Sequence, residues 1–581
     1  MQVMLLFALL TSCSTDHMQH ISSPDGKNVI EFRLIDSTPS YMVKTHDVVI
    51  IDTSYLGFAF ADQPDLNDNF IIEHIRIHSK DELWKPVWWQ TDSIRNAYTE
   101  MEITLKETTQ PARTLNLYLR AYNDGVAFRY EIPEQKNVDK INITDELTEF
   151  NFADDYTSWW IPANYDSYEK LYTKSRISEI DSINTPVTLK SVSTYLSVHE
   201  ADLKDYAGIT LKKKEGTTLA VNLVPWPDGT KVKTEKSVKS PWRVLIITDS
   251  PGGLIESNLL MNLGSPNRLE NTDWIEPINY VGIWWGLHIG LHTWEAGERH
   301  GATTERTKEY IDFVASHNIK GVLVEGWYKG FENWGHRNTP YRYLESYDDF
   351  DLPEVASYAK ENGVDFIGYH ETSGELFNYL DQVDSAFQWF EDLGIRYVKL
   401  GFANHNMDSG YHHHGQFMVN YYQKIIEKAA NHKIMLFIHE PVLASGIFRT
   451  YPNVLAWEGV RGMEFNAWSA GNPPEHTTVL PFARGVAGPI EYTPGIFDIK
   501  VKRHRDQLIP PWKLKENIDH PEVHTTFAKQ LAYYVVLFSP VQMAADLIEN
   551  YRDHLDAFRF ISNVPLIWDE TKVLDATISD Y

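Results

Sequence analysis

Residues 434–458 read IMLFIHEPVLASGIFRTYPNVLAWE and contain two apolar runs that each end in a glutamate. The first run ends at Glu440 and the second at Glu458, with proline and glycine in the connection between them. Short, continuous apolar runs bounded by turn residues are typical of strands that are buried on both faces, as in a parallel sheet. A third acid, Glu464, follows six residues after the second run.

The same alternation of apolar strands with amphipathic helices continues on both sides of this stretch. Helical patterns cover TERTKEYIDFVASHN (304–318), YLDQVDSAFQWFEDLG (379–394) and GQFMVNYYQKIIEKAANH (415–432). Five or six such units in succession predict a parallel sheet, and their total length favours a (β/α)8 barrel over a doubly wound sheet. We predict this barrel for residues 279–560, completed by a helix in HTTFAKQLAYYVVLF and a strand in VQMAAD.

Residues 20–278 have a different pattern. Short alternating runs such as MEITLKET (101–108) and WRVLIITD (242–249) are separated by Asp, Asn, Gly and Pro, and helical periodicity is nearly absent. Many short strands with turn signals predict a large β-sandwich domain. After the barrel, residues 561–581 suggest the opening of a further β segment.

The first 13 residues, MQVMLLFALLTSC, form a short apolar run that ends in the only cysteine of the chain. They resemble a secretory signal with a bacterial lipobox, and they are too short to span a bilayer as a helix. We expect a periplasmic lipoprotein anchored at Cys13. Plain secretion and a chance apolar start remain alternatives because basic residues are missing at the amino terminus. A single cysteine excludes an intrachain disulfide.

The net charge of −27 argues against nucleic acids and other polyanions as partners. Such an excess of acids is compatible with a cation site. The 18 tryptophans and 31 tyrosines are more than packing alone requires, and aromatic side chains suit sugar rings, although most of them will lie in the core.

Acids follow the predicted barrel strands repeatedly. Because the chemistry of a (β/α)8 barrel takes place at the carboxyl ends of its strands, we expect these side chains to converge there. A ring of carboxylates repels itself and persists only where a cation or a bound proton offsets the charge. Each acid taken alone also fits a solvated loop or an arginine partner. The acids are Glu325, Glu371, Glu440, Glu458 and, in the following loop, Glu464.

Two chemistries use such a ring, and they are compatible in one site. A hard cation such as Ca²⁺ takes several carboxylate and carbonyl oxygens as ligands. Glycoside hydrolysis uses one protonated carboxylic acid and one ionised carboxylate, which serves as base or nucleophile.

Other chemistries lack their signatures. The histidine-rich stretches YHHHG (411–415) and GLHIGLHTW (286–294) do not have the spacing of a zinc-binding helix, and no cysteine outside the leader could supply a thiolate. There is no GxSxG and no glycine-rich phosphate loop. Both His288 and His292 fit either a hydrogen bond to substrate or a structural role.

Several long motifs, taken together and in order, resemble glycoside hydrolase family 97, closest to its inverting α-glucosidases from bacterial starch-utilisation systems. The resemblance implies a β-super-sandwich, a (β/α)8 barrel and a small C-terminal β domain, and we expect the last to be missing or truncated here. The motifs are ANYDSYEKLY (163–172), GYHETSG (368–374), HEPVLASGIFRTYPN (439–453), WEGVRGMEFNAW (457–468) and LPFARGVAGPIEYTPGIF (480–497).

The resemblance also implies roles for the acids. Glu464 corresponds to the general acid, and Glu440 and Glu371 correspond to the two base carboxylates. Calcium is the implied cofactor. Its implied ligands are Glu169, Glu440, Glu458 and Glu464. We also assign His370, His439 and His288 to binding of the oligosaccharide substrate.

One position separates the two mechanisms within the family. Its retaining α-galactosidases have an aspartate nucleophile at the end of the fourth barrel strand, where this sequence has Gly401. Asp408 lies farther along the loop and is a poor substitute. The sequence therefore predicts a calcium-dependent, inverting exo-α-glucosidase acting on starch-like oligosaccharides. A retaining α-galactosidase and a non-catalytic carbohydrate-binding lipoprotein remain alternatives.

Overall fold

The computed structural model describes residues 18–334, 341–404, 407–509 and 520–581. The predicted leader, residues 1–13 with Cys13, lies outside the described residues. Across the described ranges, no helix combines the length and the apolar character that crossing a membrane requires.

The N-terminal part consists of antiparallel strands, and two short helices, α1 (Pro251–Glu256) and α2 (Leu259–Leu263), connect it to the barrel. The predicted β-sandwich is confirmed. The strands are β1 (Gln19–Ser22), β2 (Asn28–Ile35), β3 (Thr38–Thr45), β4 (Val48–Tyr55), β5 (Phe58–Phe60), β6 (Phe70–Trp84), β7 (Ile94–Glu107), β8 (Thr114–Tyr122), β9 (Gly125–Ile132), β10 (Lys140–Glu146), β11 (Glu149–Asn151), β12 (Thr157–Trp160), β13 (Thr173–Arg176), β14 (Ser182–Asn184), β15 (Val187–Lys190), β16 (Tyr195–Ala201), β17 (Ile209–Lys213), β18 (Thr218–Leu223), β19 (Val232–Glu235), β20 (Val238–Lys239) and β21 (Trp242–Thr248).

These strands form one large sheet and three smaller ones. The large sheet has the order β13-β12-β15-β16-β21-β9-β8-β7-β6, with β20 paired to β9. The smaller sheets are β1-β2-β3-β4, β19-β10-β5 and β11-β18-β17-β14. Alternation along each strand sets the core: in β7, Met101, Ile103 and Leu105 are buried, whereas Glu102 and Thr104 between them are half-buried.

A buried group of charges ties the sandwich together. The Arg243 guanidinium contacts the carboxylates of Glu146 at 2.6 Å and of Glu200 at 2.8 Å, and all three side chains are at most 2% exposed. The Tyr206 hydroxyl also donates to Glu146, over 2.8 Å. Because each charge is paired and hydrogen-bonded, the group can remain ionised away from water.

The barrel begins at Ile278 and alternates parallel strands with helices. Its sheet has the order β29-β28-β27-β26-β23-β22-β30, and β24 and β25 form a separate antiparallel pair. The strands are β22 (Ile278–Gly282), β23 (Gly321–Leu323), β24 (Tyr328–Lys329), β25 (Arg342–Ser346), β26 (Asp365–Glu371), β27 (Tyr397–Gly401), β28 (Met435–Ile438), β29 (Val454–Trp457) and β30 (Val541–Ala544). The predicted strand in VQMAAD is confirmed as β30.

The helices confirm the periodicity of the sequence in all three segments singled out above and in HTTFAKQLAYYVVLF. They are α3 (Trp284–His288), α4 (Thr304–Ala315), α5 (Leu352–Glu361), α6 (Leu376–Leu393), α7 (Gln416–Asn431), α8 (Ile447–Thr450), α9 (Phe465–Trp468), α10 (Pro474–Val479), α11 (Phe527–Val536), α12 (Ile548–Arg552) and α13 (Leu555–Asn563). Short 3₁₀ turns lie at Ile177–Glu179, Phe331–Asn333, Asp408–Gly410, Leu480–Phe482, Arg484–Ala487 and Arg505–Gln507.

The barrel is nearly closed, with seven parallel strands in the described part of the chain rather than the eight predicted. The segment 489–494, which contains no strand and in which Thr493 has a φ of +56°, lies at the remaining position between β29 and β30. Ile490 donates its N–H to the Phe538 carbonyl, and Tyr492 accepts from the Met463 N–H. Prolines at both ends of this segment, Pro489 and Pro494, have no N–H to donate, which prevents a regular ladder there.

The last described residues differ from the prediction. Residues 564–581 contain no strand, so the predicted opening of a β segment at 561–581 was wrong. They run back along the N-terminal domain instead, where the Trp568 N–H donates to the Trp89 carbonyl and the Trp159 indole donates to the Ser579 hydroxyl. These contacts join the end of the described chain to the sandwich.

We predict that Arg243→Met destabilises the N-terminal domain by about 3–5 kcal/mol, because two buried carboxylates lose their counter-ion. Urea unfolding followed by circular dichroism measures this loss. Arg95→Ala is the matched control, because Arg95 and Asp81 form a well-exposed pair and its unfolding midpoint should be unchanged. An unaltered midpoint in Arg243→Met would contradict the importance given to the buried group.

Candidate active site

A cavity of about 290 Å³ opens at the carboxyl ends of the barrel strands. It is lined by barrel residues and by residues 166–169 of the sandwich domain, so both domains build it. Six glutamates and four tryptophans line it: Glu169, Glu325, Glu371, Glu440, Glu458, Glu464, Trp284, Trp294, Trp334 and Trp468. The structure thus brings together every acid that the sequence placed at a strand end.

Glu440 is held in an unusual backbone conformation just after β28. Its φ is +61°, which is uncommon for a residue with a side chain. Its N–H donates to Glu458 Oε2 over 3.1 Å, and its own Oε2 accepts from the Phe402 N–H over 2.8 Å. These two bonds fix the glutamate at the end of the strand and offset the conformational cost.

Glu371, the last residue of β26, is buried among hydrogen-bond donors. Its Oε2 accepts from the Tyr369 hydroxyl over 3.0 Å. Its Oε1 accepts from the N–H groups of Ser373, over 2.6 Å, and Ala403, over 3.1 Å. Burial raises the pKa of Glu371 to about 7, although these hydrogen bonds act in the opposite direction.

Glu464 lies at the start of α9, with its Oε1 accepting from the Gly462 N–H over 3.2 Å. Burial, and then the charge of Glu458, raise the pKa of Glu464 to about 7. A carboxyl group with such a pKa carries its proton over much of the neutral range, which is the state that a general acid needs.

Two overlapping groups of side chains could hold a metal ion, and Glu458 belongs to both. The first group is Glu169, Glu458 and Glu464, and the second is His439, Glu440 and Glu458. In each group, one ligand atom from every residue lies within 4.8 Å of the ligand atoms of the other two. Burial, followed by the charges of Glu458, Glu464 and Glu440, raises the pKa of Glu169 well above its ordinary value. Crowded carboxylate oxygens of this kind suit a hard cation such as Ca²⁺.

Two cations lie among the acids at the floor of the cavity. Lys399 Nζ is 3.0 Å from Glu325 Oε1, and both side chains are 3% exposed. His439 lies between two carboxylates, with Nδ1 3.1 Å from Glu458 and Nε2 2.6 Å from Glu491. Burial alone would lower the pKa of Lys399, but the charges of Glu325 and Glu491 raise it.

Gly401, the last residue of β27, has no room for a side chain. A Cβ atom built there would lie 2.3 Å from Glu371 Oε2 and 3.1 Å from the Tyr369 hydroxyl. Asp408 does not line the cavity; it lies in a 3₁₀ turn and accepts from the Phe377 N–H over 3.2 Å. Among the described residues, Asp166 is the only aspartate that lines the cavity, and His412 and the His413 N–H hold it, each over 2.9 Å.

The chain is 38% identical to a Glycoside Hydrolase Family 97 enzyme from Pseudoalteromonas sp. strain K8, solved with acarbose and, as a variant, with panose. The alignment covers 97% of this chain and 86% of that one, with a TM-score of 0.91. The chain belongs to glycoside hydrolase family 97. Two family models agree: Glycosyl-hydrolase 97 N-terminal matches residues 21–266, and Glycoside hydrolase 97 matches residues 284–460.

More distant relatives are also glycosidases. A protein of Bacteroides thetaiotaomicron named retaining alpha-galactosidase is 25% identical over 99% of this chain and 87% of its own length. A protein of Streptomyces bingchenggensis named probable retaining alpha-galactosidase is 27% identical over 79% of this chain and 64% of its own length. The family 97 chain is therefore a glycoside hydrolase, and the prediction of an enzyme is confirmed.

Of the three histidines assigned to substrate binding, two line the cavity of this family 97 enzyme. His439 lies at its floor, and His288 packs between the rings of Trp284 and Trp294. His370, the third, does not line the cavity. Because neighbouring residues in a strand point to opposite sides, His370 faces outward when Glu371 faces the cavity, and it stacks on Phe390.

Two residues were missed: Lys399, which lines the cavity, and Glu491, which contacts His439. Lys399 carried a signal, since a lysine inside the apolar strand YVKLG is unusual in a buried position unless it has a partner. Glu491 lies in the quoted motif GPIEYTPG, but it does not follow a recognisable strand and was given no role. Glu325 was counted as a strand-end acid, and the structure identifies it as the partner of Lys399.

We predict that Gly401→Ala lowers kcat by up to about 100-fold, because the added methyl group displaces the Glu371 carboxylate and small misplacements are costly in catalysis. The measurement is kcat on the best glycoside substrate, with the melting temperature recorded to show that the variant is folded. A kcat within twofold of the wild type would show that Glu371 can move at no cost.

Proposed function

We propose that this chain is a calcium-dependent, inverting exo-α-glucosidase that hydrolyses terminal α-glucosidic bonds of oligosaccharides from starch-like glucans. The observation that carries the proposal is at Gly401. The side chain that would be a nucleophile is absent, and the space it would need is filled by the Glu371 carboxylate. Because no side chain at the end of β27 supplies a nucleophilic carboxylate, the cavity favours direct attack by a water that the neighbouring acids activate.

In this proposal Glu464 is the general acid that protonates the glycosidic oxygen. Its raised pKa fits this role, because a protonated carboxyl group is needed at neutral pH, but the pKa of Glu371 is raised to about the same value, so the assignment rests on the family resemblance. Inverting enzymes place acid and base about 6.5–9.5 Å apart, which leaves room for the attacking water.

Glu371 and Glu440 are the proposed bases, acting on one water from the side opposite to Glu464. Glu371 ends β26 and Glu440 follows β28, the two strands that flank β27, and the two carboxylates interact electrostatically. Backbone N–H groups donate to both carboxylates, from Ala403 to Glu371 and from Phe402 to Glu440. Such donors stabilise the anionic form that a base requires, against the burial that raises the pKa of both glutamates.

The sugar assignment is supported by the Pseudoalteromonas relative, which was solved with acarbose and with panose. Panose is a trisaccharide of α-linked glucose. A cavity of this size with tryptophans around it suits one terminal sugar stacked on aromatic rings, which fits exo action.

Calcium is proposed as the cofactor on the chemistry of the donor set. Glu169, Glu440, Glu458 and Glu464 would hold it, three from the barrel and one from the sandwich. When bound, the ion supplies positive charge that offsets the crowded carboxylates. We also propose a periplasmic location with a lipid at Cys13, which mass spectrometry of the mature amino-terminal peptide would detect.

A retaining α-galactosidase is the second candidate, favoured by the names of the curated relatives. That mechanism requires a carboxylate nucleophile close to the anomeric carbon. Asp166 is the aspartate available in the cavity, and two hydrogen bonds already hold it.

The first-formed sugar separates the two candidates. Proton NMR of the reaction on an α-glucoside should show the β-anomer first, because single displacement inverts the anomeric carbon. A parallel assay with p-nitrophenyl α-galactoside tests the sugar. Release of α-galactose as the first product would overturn the proposal in favour of the second candidate.

Glu464→Gln tests the acid. We expect a loss of about 100-fold or more in kcat on malto-oligosaccharides, because the leaving group then departs without a proton. On α-glucosyl fluoride, whose leaving group needs no proton, the loss should be much smaller. Equal losses on both substrates would remove Glu464 from the acid role.

Metal removal should destabilise the protein, and more so at high pH. The pKa of Glu464 is raised from its ordinary 4.5 to about 7, so the stability gained from its proton is full below 4.5 and is lost as pH rises through 7. After EDTA treatment we expect a lower melting temperature at pH 8 than at pH 5, and a larger recovery with Ca²⁺ at pH 8.

Glu458→Gln should lose this calcium response, whereas Glu309→Gln, at an exposed ion pair with Arg552, should keep it. Identical melting with EDTA and with Ca²⁺, in a protein shown by elemental analysis to be metal-free before Ca²⁺ is added, would contradict the metal site.

A further inference from the structure

Glu491 is a buried acid without a role in the proposed reaction. It lies in the segment 489–494 at the eighth barrel position, and its side chain is 1% exposed. Its Oε2 accepts from His439 Nε2 over 2.6 Å, and its Oε1 accepts from the Tyr280 hydroxyl. Both oxygens are therefore committed, and the residue does not line the cavity.

His439 is held at both ends of its ring. Nε2 contacts Glu491, and Nδ1 is 3.1 Å from Glu458 Oε1. An ionised carboxylate can only accept, so both ring nitrogens donate when both bonds are made. Two fixed donors leave the imidazole no freedom to rotate within its plane.

The contacts continue from His439 to a catalytic position. The second oxygen of Glu458, Oε2, accepts the N–H of Glu440 over 3.1 Å. That N–H belongs to a residue whose φ of +61° requires support from its surroundings. A continuous series of hydrogen bonds thus connects Glu491 through His439 and Glu458 to the backbone of Glu440.

The negative charge of Glu491 is also part of this arrangement. The cavity floor has two buried cations, Lys399 and His439, and Glu325 pairs with Lys399. Glu491 is the carboxylate that contacts His439 from outside the cavity. Without the Glu491 carboxylate, His439 would keep only its contact with Glu458, and the Nε2 end of the ring would lose the acceptor that fixes it.

We propose that Glu491 is a positioning residue of the hydrolytic reaction, which fixes the His439 ring and through it the orientation of Glu458 and Glu440. The inference rests on the proposed roles of Glu440 and Glu458, but it does not depend on which sugar is hydrolysed. Tyr280, which donates to the other oxygen, sets the rotamer of Glu491.

Glu491→Gln is the test variant, because the amide keeps the shape and one acceptor oxygen but removes the charge. Partners of this kind typically contribute 10–100-fold to activity, so we expect kcat to fall by about 10–100-fold. KM should change much less, because Glu491 does not contact substrate. The substrate is whichever p-nitrophenyl glycoside the wild-type enzyme hydrolyses fastest.

Asp546→Asn is the matched control. Asp546 is a fully buried carboxylate after β30 that accepts the N–H groups of Phe497, over 2.7 Å, and Asp498, over 3.0 Å, and it does not line the cavity. Its loss should lower the melting temperature and leave kcat within twofold. An equal fall of kcat in both variants would overturn the proposal, because general destabilisation would then explain it.

A double-mutant cycle with His439→Gln tests whether Glu491 acts through the histidine. In that background Glu491→Gln should cost less than twofold, since the contact it supports is already gone. The full 10–100-fold loss in that background, or wild-type kcat in Glu491→Gln alone, would overturn the inference.

Proton NMR gives a readout that is independent of turnover. The wild type should show a strongly downfield ring N–H resonance that is absent in His439→Gln and moves upfield in Glu491→Gln. An unchanged resonance in Glu491→Gln would refute the proposal that Glu491 fixes the His439 ring. A wild-type enzyme that prefers α-galactosides would refute the proposed function while leaving this test intact.

Discussion

Mutual repulsion among buried glutamates is the constraint on which the catalytic end of the barrel depends. Carboxylates that share one cavity of about 290 Å³ cannot all remain ionised without compensation. The chain compensates them in three ways: N–H donors for Glu371 and Glu440, buried cations for Glu325 and Glu458, and raised pKa values, which favour the protonated form, for Glu169, Glu371, Glu440 and Glu464.

The sandwich domain contributes directly to this group of carboxylates. Glu169 comes from the sandwich and meets Glu458 and Glu464 of the barrel. Its neighbour Asp166 accepts hydrogen bonds from the loop after β27, and Tyr168 stacks on His414 at 4.3 Å between ring centroids. A shift of the two domains would therefore disturb the carboxylate group directly, so we regard the cavity as a product of their interface.

The sequence predicted the parts of this site that follow from strand periodicity. In a parallel barrel the carboxyl ends of the strands meet, so an acid after an apolar run had to converge with the others, as Glu371 and Glu440 do. His370 and Glu371 face opposite sides of β26, because neighbouring residues alternate between the two sides of a strand. Glu371 therefore lines the cavity and His370 does not. The sequence did not identify the segment at the eighth barrel position, because Pro489 and Pro494 prevent a regular strand there. Glu491, which lies in this segment, was therefore given no role.

Space as well as charge bears on the stereochemistry. By the family resemblance, Gly401 lies at the end of β27 where retaining relatives have their nucleophile. A Cβ atom built there would lie 2.3 Å from Glu371 Oε2. Under the roles proposed above, a nucleophile on β27 and the Glu371 carboxylate on β26 would therefore compete for the same volume unless Glu371 moves. We expect an exchange of mechanism to need a change at Glu371 as well as at Gly401, because an aspartate introduced at position 401 alone would displace the Glu371 carboxylate and add a further charge to a group that is already crowded.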